Sequence, residues 1–359
     1  MNRRDFLGAS LSLGALRAIP ASSSCGLPVG MPAAPGGWVH QAHAIIKDAA
    51  RAPSSHNSQP WQVGLHDRAH WRLSQAPGRD LPVVDPDGRE CWQSLGAFLV
   101  GLEVAAAARG LRLEQDECAG AAGALPLRFS PRSADTTWLP ALRRRRTLRK
   151  ALAPLAGCEA ALAACLAAAP SARFFAHGTP AARAIADATL EATAAQCKED
   201  AVWHELARWI RWREGEIAEN PTGVTPATME LPWLAQRWVA ATYSRDDVLT
   251  PAFRARSLEL AARQVQEGAG WLVFTTEHDT PADWRHSGAE LMRLWLRAVP
   301  AAIALHPMSQ SLEVLPQRRS IEAALGLKHI QLLVRVGTRP YPPDTPSPRL
   351  AAQRISVLL

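Results

Sequence analysis

Beyond its first thirty residues, the sequence has no apolar run of the roughly 20 residues that a membrane-spanning helix requires, so no stable span is expected. It has no Cys-x-x-Cys pair either. Cys25, Cys91, Cys118, Cys158, Cys165 and Cys197 stand apart, without the spacing of a zinc site or a disulfide framework. Most lie in Ala/Leu-rich stretches, where a thiol packs as a small apolar group. No metal site follows from them, and only an incidental disulfide in an oxidising compartment stays open. Signs of disorder are missing too. With 47% hydrophobic and 20% charged residues over 359 positions, the composition is that of a soluble globular chain with one large or two ordinary domains. Positive charge is in excess, 40 Lys and Arg against 33 Asp and Glu, which favours anionic ligands or surfaces. Aromatic residues do not interleave with the basic ones and no nucleic-acid module is recognisable, so nucleic acid is not an expected partner.

The chain opens Asn2-Arg3-Arg4-Asp5-Phe6-Leu7-Gly8, and a moderately apolar run from Ala9 to Ala21 follows, broken by Arg17. That is the arrangement of a twin-arginine export signal, so residues 1–30 are set aside as a signal peptide. The expectation is an exported, periplasmic protein with the twin-arginine translocase as a transient partner. Ser22-Ser23-Ser24-Cys25-Gly26 faintly suggests a lipid anchor at Cys25, the less favoured alternative. This route carries folded proteins, which suits a chain that takes up a cofactor before export.

Two segments share the pattern Gly-Ala-x-Leu-x-x-Leu: one from Gly96 to Leu102 and one from Gly288 to Leu294. Both are apolar on several faces, as a helix buried between layers should be. A strand pattern precedes each, His70 to Ser74 and Trp271 to Thr276, and another follows each, Leu125 to Phe129 and Ile330 to Val336. Three elements in one order suggest an internal duplication, a pseudo-twofold dimer in one chain whose interface sites come from unlike halves. The halves are expected at 38–135 and 140–350, with a loop at Gly78–Gly88 and a linker from Ala134 to Pro140. Residues 196–247 have no counterpart in the first half. A helix from Lys198 to Glu214 carries Trp203, Trp209 and Trp212, and a Pro/Thr-rich loop from Asn220 to Pro232 leads to Trp233 and Trp238. These tryptophans read either as packing or as a lid over a pocket.

The segment Ala52-Pro53-Ser54-Ser55-His56-Asn57-Ser58-Gln59-Pro60-Trp61 follows a helix over about Gln41–Arg51, which must stop before Pro53. Its uncharged donors and acceptors suit a ring bearing carbonyls and ring nitrogens; a polar loop of no consequence stays open. Arg143-Arg144-Arg145-Arg146-Thr147-Leu148-Arg149-Lys150 offers guanidiniums and a hydroxyl, which bind a phosphate dianion by charge-assisted hydrogen bonds. A solvated basic helix face is the alternative there.

Together these two motifs resemble the nitroreductase family, and over roughly residues 40–350 its fused, single-chain Acg-type branch. The resemblance implies an α+β fold: a three-layer α-β-α sandwich of two fused half-domains that mimic the family homodimer, monomeric as a pseudo-dimer. It implies FMN as cofactor. Ser54, Ser55, Asn57 and Gln59 of the first motif would face the flavin. Arg145 and Thr147 would hold its phosphate and Arg149 its pyrimidine edge, leaving Arg143, Arg144 and Lys150 as surface charges. In Leu305–Gln310, Pro307 and Ser309 would bring backbone close to the flavin's N5, where a donor stabilises developing negative charge. Arg349 in Pro346-Ser347-Pro348-Arg349 would reach the phosphate, although Leu350 stands where the branch has a second arginine. Gln62-Val63 also departs from the branch's usual basic-then-aromatic pair. The first half lacks the arginine motif and the second lacks the Ser/Asn loop, so one FMN per chain is expected. The implied activity is transfer of hydride or electrons through N5 to a nitroaromatic or quinone acceptor, with no side chain as nucleophile or base. His56 and His306 lie near the expected site without an assigned role. Alternatives are a non-catalytic FMN-storage protein with a covered flavin, or an oxygen-dependent, flavin-consuming enzyme.

Overall fold

The computed structural model describes residues 37–115, 123–342 and 347–359. The expected signal peptide, Cys25, Cys118 and Pro346 lie outside the described residues. Helix α1 (Gly37–Ala49) leads through a 3-10 turn (Ser55–Asn57) to β1 (Trp61–Leu65) and β2 (His70–Gln75). Next come α2 (Arg89–Ala107), β3 (Leu111–Gln115) and β4 (Ala124–Pro131). The second series starts with α3 (Leu139–Arg144), α4 (Glu159–Leu166), β5 (Ala172–Ala176) and α5 (Pro180–Gln196). Helices α6 (Asp200–Trp209), α7 (Glu214–Glu219), α8 (Trp233–Thr242), α9 (Arg245–Leu249) and α10 (Pro251–Gln264) follow. The chain then runs through β6 (Gly270–Thr275), α11 (Pro281–Ala298), β7 (Ile303–Pro307), α12 (Gln310–Glu313), α13 (Leu315–Leu325) and β8 (Ile330–Thr338). It ends with α14 (Ala352–Ile355) and β9 (Ser356–Leu358).

Two sheets result, in the orders β3-β4-β2-β1-β9 and β5-β6-β8-β7. Apart from β9, which lies parallel to β1, every pairing is antiparallel. Read from one edge, β1-β2-β4-β3 and β5-β6-β8-β7 follow the same path, with α2 between β2 and β3 and α11 between β6 and β7.

The two central helices meet at their glycines. A Cβ on Gly96 would lie 1.9 Å from the Arg285 carbonyl oxygen, and one on Gly288 would lie 1.9 Å from that of Gln93. Only hydrogen at both positions lets the backbones approach so closely. Around this crossing a single core joins Ile45 and Ile46 of α1, Trp61 of β1, Phe98 of α2, Trp295 of α11 and Phe274 of β6, with Trp61 stacked on Phe98 at 4.7 Å. Helices α5, α10 and α11 all begin with a threonine cap followed by proline, at Thr179-Pro180, Thr250-Pro251 and Thr280-Pro281. In each, the hydroxyl accepts from a first-turn N–H.

The layers differ from a simple α-β-α sandwich. The first sheet buries Trp71, Leu73, Leu127 and Phe129 on one face and leaves His70, Arg72 and Arg128 exposed on the other, because β2 and β4 alternate polar with apolar. Nearly every residue of β6 and β8 is buried, and a separate core of Ile185, Trp271, Val273 and Leu333 packs the second sheet's outer face. The order is therefore sheet, helices, sheet, helices. The helix read at Lys198–Glu214 also breaks early. Ile210 turns extended and forms a bridge to Val224, so α6 ends at Trp209. No helix among the described residues is long and apolar enough to cross a membrane.

Candidate functional site

A cavity of about 410 Å³ opens between the two series of elements. The 53–56 loop forms one wall, α2 and α11 contribute Ala97 and Gly288, Thr147 and Arg149 come from the basic segment, and His306–Gln310 closes another side. Of the residues expected from sequence, Ser54, Ser55, Thr147, Arg149, Pro307 and Ser309 border it.

The 55–59 loop is strained. His56, Asn57 and Gln59 have φ of 49°, 54° and 55°, a left-handed conformation that costs a non-glycine residue about 1–3 kcal/mol. The surrounding contacts over-determine it. Asn57 Nδ2 donates to the carbonyls of Gly223 and Pro348 at 3.0 and 3.1 Å, and Gly223 N donates back to Asn57 O at 3.1 Å. Gln59, fully buried, donates to Pro221 O at 2.8 Å and accepts from Leu350 N at 3.0 Å. Asn57 and Gln59 thus brace the loop against the insertion and the C-terminal segment and do not border the cavity, contrary to the expectation that they face a flavin. Ser54 Oγ accepts from Gln59 N at 3.0 Å, and Ser55 Oγ donates to Glu90 Oε2.

Arg145 and Arg349 do not line the cavity either, but they converge behind its loop. Arg145 donates through Nε and Nη2 to Arg51 O at 3.0 and 2.6 Å and lies over the Trp295 ring at 4.6 Å. Arg349 donates to the carbonyls of Ala50, Arg51 and Ala52 and to Asn57 Oδ1. These partners are neutral oxygens, not carboxylates. Burial first, then Arg51 and Arg149, pull Arg145 down to about 10 despite Tyr341 nearby. Burial, then Arg145 and Arg51, lower Arg349 well below its ordinary range. Arg145 and Arg349 thus meet no carboxylate, and Arg145 Nη1 is buried with no hydrogen-bond partner among the described residues. Arg51 is a member that sequence reading did not single out, although it directly precedes the Ala52-Pro53 motif.

The remaining basic residues have distinct fates. Arg143 is exposed, as expected of a surface charge, and also pairs with the buried Asp48 at 2.9 Å, beside Arg109 at 2.7 Å. Arg149 Nη1 donates to Thr228 O at 2.9 Å. The backbone N–H groups of Arg149 and Lys150 donate to Glu230 Oε2 at 2.6 and 2.8 Å, and their carbonyls accept from the fully buried Arg335. The segment is thus held open and extended from both sides.

The insertion covers the cavity. Val202, Trp203 and Leu206 of α6 line it, and Glu205 accepts from the N–H groups of Val83 and Val84 at 3.0 and 3.1 Å. Trp203, Trp209 and Trp212 are buried, whereas Trp233 and Trp238 are 67% and 58% exposed. His56 and His306 both border the cavity. Burial lowers both; Arg149 and Arg335 add to the effect at His306, so both rings are neutral near pH 7. Cys91, Cys158, Cys165 and Cys197 are free thiols, and burial pushes Cys91 up to about 12, which leaves it inert. No cluster among the described residues could hold a metal ion.

Fit to a flavin nucleotide can be judged from these groups. The cavity volume is in the range of small-molecule sites. Its walls combine apolar surface with convergent polar groups, Glu90 and Glu313 among them, and it is flanked by Arg145, with an orphaned donor, and Arg349, both bonded only to neutral oxygens. The residues present fit an anionic, ring-bearing cofactor.

No protein-family model matches the chain. Two proteins of Mycobacterium tuberculosis, from strains CDC 1551 and H37Rv, are each 29% identical to it over 324 residues, covering 85% of this chain and 88% of theirs. Both carry the name NAD(P)H nitroreductase. A Serratia protein named NAD(P)H nitroreductase PigM is 25% identical over 341 residues, 86% of this chain and 91% of its own. At 25–29% identity over about 85% of its length, this chain, which carries both motifs beside one cavity, is similar to proteins named as nitroreductases.

Proposed function

We propose that the chain is an FMN-dependent oxidoreductase that holds a single flavin in the cavity between its unlike halves. The observation that carries this reading is the continuity of the arginine cluster with the cavity wall. Arg145, with its orphaned Nη1, is followed two and four residues later by Thr147 and Arg149, which border the cavity. A phosphate dianion would complete Arg145 by a charge-assisted hydrogen bond, with Arg349 and Arg51 beside it. When bound, FMN supplies hydride and electron transfer, with a reduced nicotinamide as donor, as the relatives' names suggest, and a nitroaromatic or quinone as acceptor. The chain's own work is positional. Ser54, Ser55 and Arg149 offer polar groups to a ring, and α6 walls one side of the site.

The shared sheet plan supports reading the molecule as a fused duplicate of the Acg type. Ala169-Pro170-Ser171 stands before β5 as Ala52-Pro53-Ser54 stands before β1. The twin-arginine start supports export of the folded, loaded protein to the periplasm. The insertion favours a second reading, non-catalytic FMN storage, because its latches at Gly223, Pro221 and Glu205 restrict access. One measurement separates the two. The purified protein should show a flavin spectrum that bleaches with NADH or NADPH and recovers with nitrobenzene or benzoquinone. Tight flavin without bleaching by any donor would favour storage, and absence of flavin would defeat both.

A further inference from the structure

We propose that Glu313 is a buried acid which, through the hydroxyl of Ser309, presents a hydrogen to an oxygen atom of the ligand in the cavity. The inference rests on the oxidoreductase reading and deepens it by naming the groups that would deliver a proton to the acceptor's nitro or carbonyl oxygen. Glu313 ends α12, and both it and Ser309 border the cavity. Its carboxyl is held at both oxygens, Oε1 by Ser309 Oγ at 2.7 Å and Oε2 by Gln196 Nε2 of α5 at 2.6 Å. Glu90 of α2 borders the same cavity, 4% exposed. Glu90 Oε1 accepts no hydrogen bond, although Arg89 Nη2 lies 3.5 Å away.

The charged groups that Glu313 senses from the packed elements are Glu90 and Arg89. Two carboxylates served by one guanidinium in a desolvated space cannot both ionise cheaply. Arg89 lies beside Glu90, whereas the Glu313 carboxyl is held by two neutral groups, Ser309 and Gln196. Burial, then the Glu90 charge, carries its carboxyl up to about 8.

A serine hydroxyl can accept and donate at once. With Glu313 neutral, its O–H donates to Ser309 Oγ, and the Ser309 hydrogen turns into the cavity. The chemistry balances there. A nitro group that receives a hydride from a reduced nicotinamide needs one further proton to become nitroso plus water. A quinone needs the same to become a hydroquinone. That proton leaves Ser309 Oγ for the ligand oxygen, the Glu313 proton replaces it, and Glu313 is left as a carboxylate until solvent reprotonates it. Ser309 touches the ligand, and Glu313 is a positioning residue behind it.

The first test is thermal unfolding against pH for the wild type and Glu313→Gln. A folded value raised from 4.5 to about 8 means the wild type loses stability relative to the variant as pH rises through that window. Above pH 8 the two curves should run parallel; curves parallel throughout would overturn the proposal. The second test is nitrobenzene binding, read by tryptophan fluorescence. Wild-type affinity should fall about tenfold from pH 7 to pH 9, the loss expected of a group with its midpoint near 8. Glu313→Gln, whose amide still donates to Ser309, should bind at every pH as the wild type does at pH 7, and Ser309→Ala should bind weakly with no pH dependence. A flat wild-type profile, or unchanged binding by Ser309→Ala, would sink the relay. Visible absorbance keeps the two readings apart: a flavin-loaded, active protein with flat profiles defeats only the relay. A flavin-free, inactive protein with the predicted pH dependence defeats only the oxidoreductase reading.

Discussion

Asp48 on α1 is 6% exposed, and its environment sets two influences against each other. Burial raises its carboxyl, while bonds from Arg143 and Arg109 lower it, and the arginines win, leaving it below 3.8. A folded value below the unfolded one contributes stability above pH 3.8 and loses it as pH falls through the folded value. Asp48→Asn should therefore cost about 2 kcal/mol at neutral pH, less than a fully buried pair because Arg143 is half exposed. Urea unfolding at pH 7 and pH 3 should show the deficit shrinking with acid. Arg145 admits a sharper test, since its contact with Arg51 O and the proposed one with a phosphate both need the planar fork. Arg145→Lys should weaken FMN retention by about 10- to 100-fold, the worth of one or two charged hydrogen bonds, measured by equilibrium dialysis. Unchanged retention would place the phosphate elsewhere. At this scale the sequence was half legible. The family resemblance pointed to Thr147 and Arg149, which border the cavity, but side-chain type says nothing about direction. Asn57 and Gln59, read as ligands, turn their amides to Gly223, Pro221, Pro348 and Leu350.

The elements show a similar split between what periodicity reveals and what only contact decides. The repeated Gly-Ala pattern marked α2 and α11 because a helix apolar on several faces must be buried, and alternation marked β2 and β4. Strand β9 was beyond reach. It is short, and it exists because Leu359 covers Gly64 and residues 356–358 pair with β1. The same glycines give the strongest prediction at this scale. Gly96→Ala and Gly288→Ala each drive a Cβ into backbone, which cannot yield as a side chain can, so each should cost about 3 kcal/mol or more. Gly215→Ala, in α7 with nothing within 4 Å of its added carbon, should be neutral or slightly stabilising. Denaturant midpoints of the three variants would rank them. A mild effect at Gly96 or Gly288 would mean that the central helices can slide apart, and with them the cavity walls.

For the whole molecule the consequence is a stoichiometry. If the two sheets of one plan are the proposed duplicates, agreeing sequences would give two equivalent clefts. They do not agree where chemistry is needed. Before β1 the chain inserts the strained Ser55–Gln59 loop, but before β5 it passes from Ser171 directly into the strand. The basic segment 143–150 enters the second half only, and its Arg145 reaches back to Arg51 of the first. The cavity between the two series is bordered by both the loop and the basic segment, through Ser54, Ser55, Thr147 and Arg149. The wild type should bind one FMN per chain at saturation, measured as released flavin against protein by amino-acid analysis. Arg145→Ala combined with Thr147→Ala should bring the ratio toward zero. A ratio of two, or a residual ratio of one in the double variant, would overturn the proposal of one site built from the loop and the basic segment.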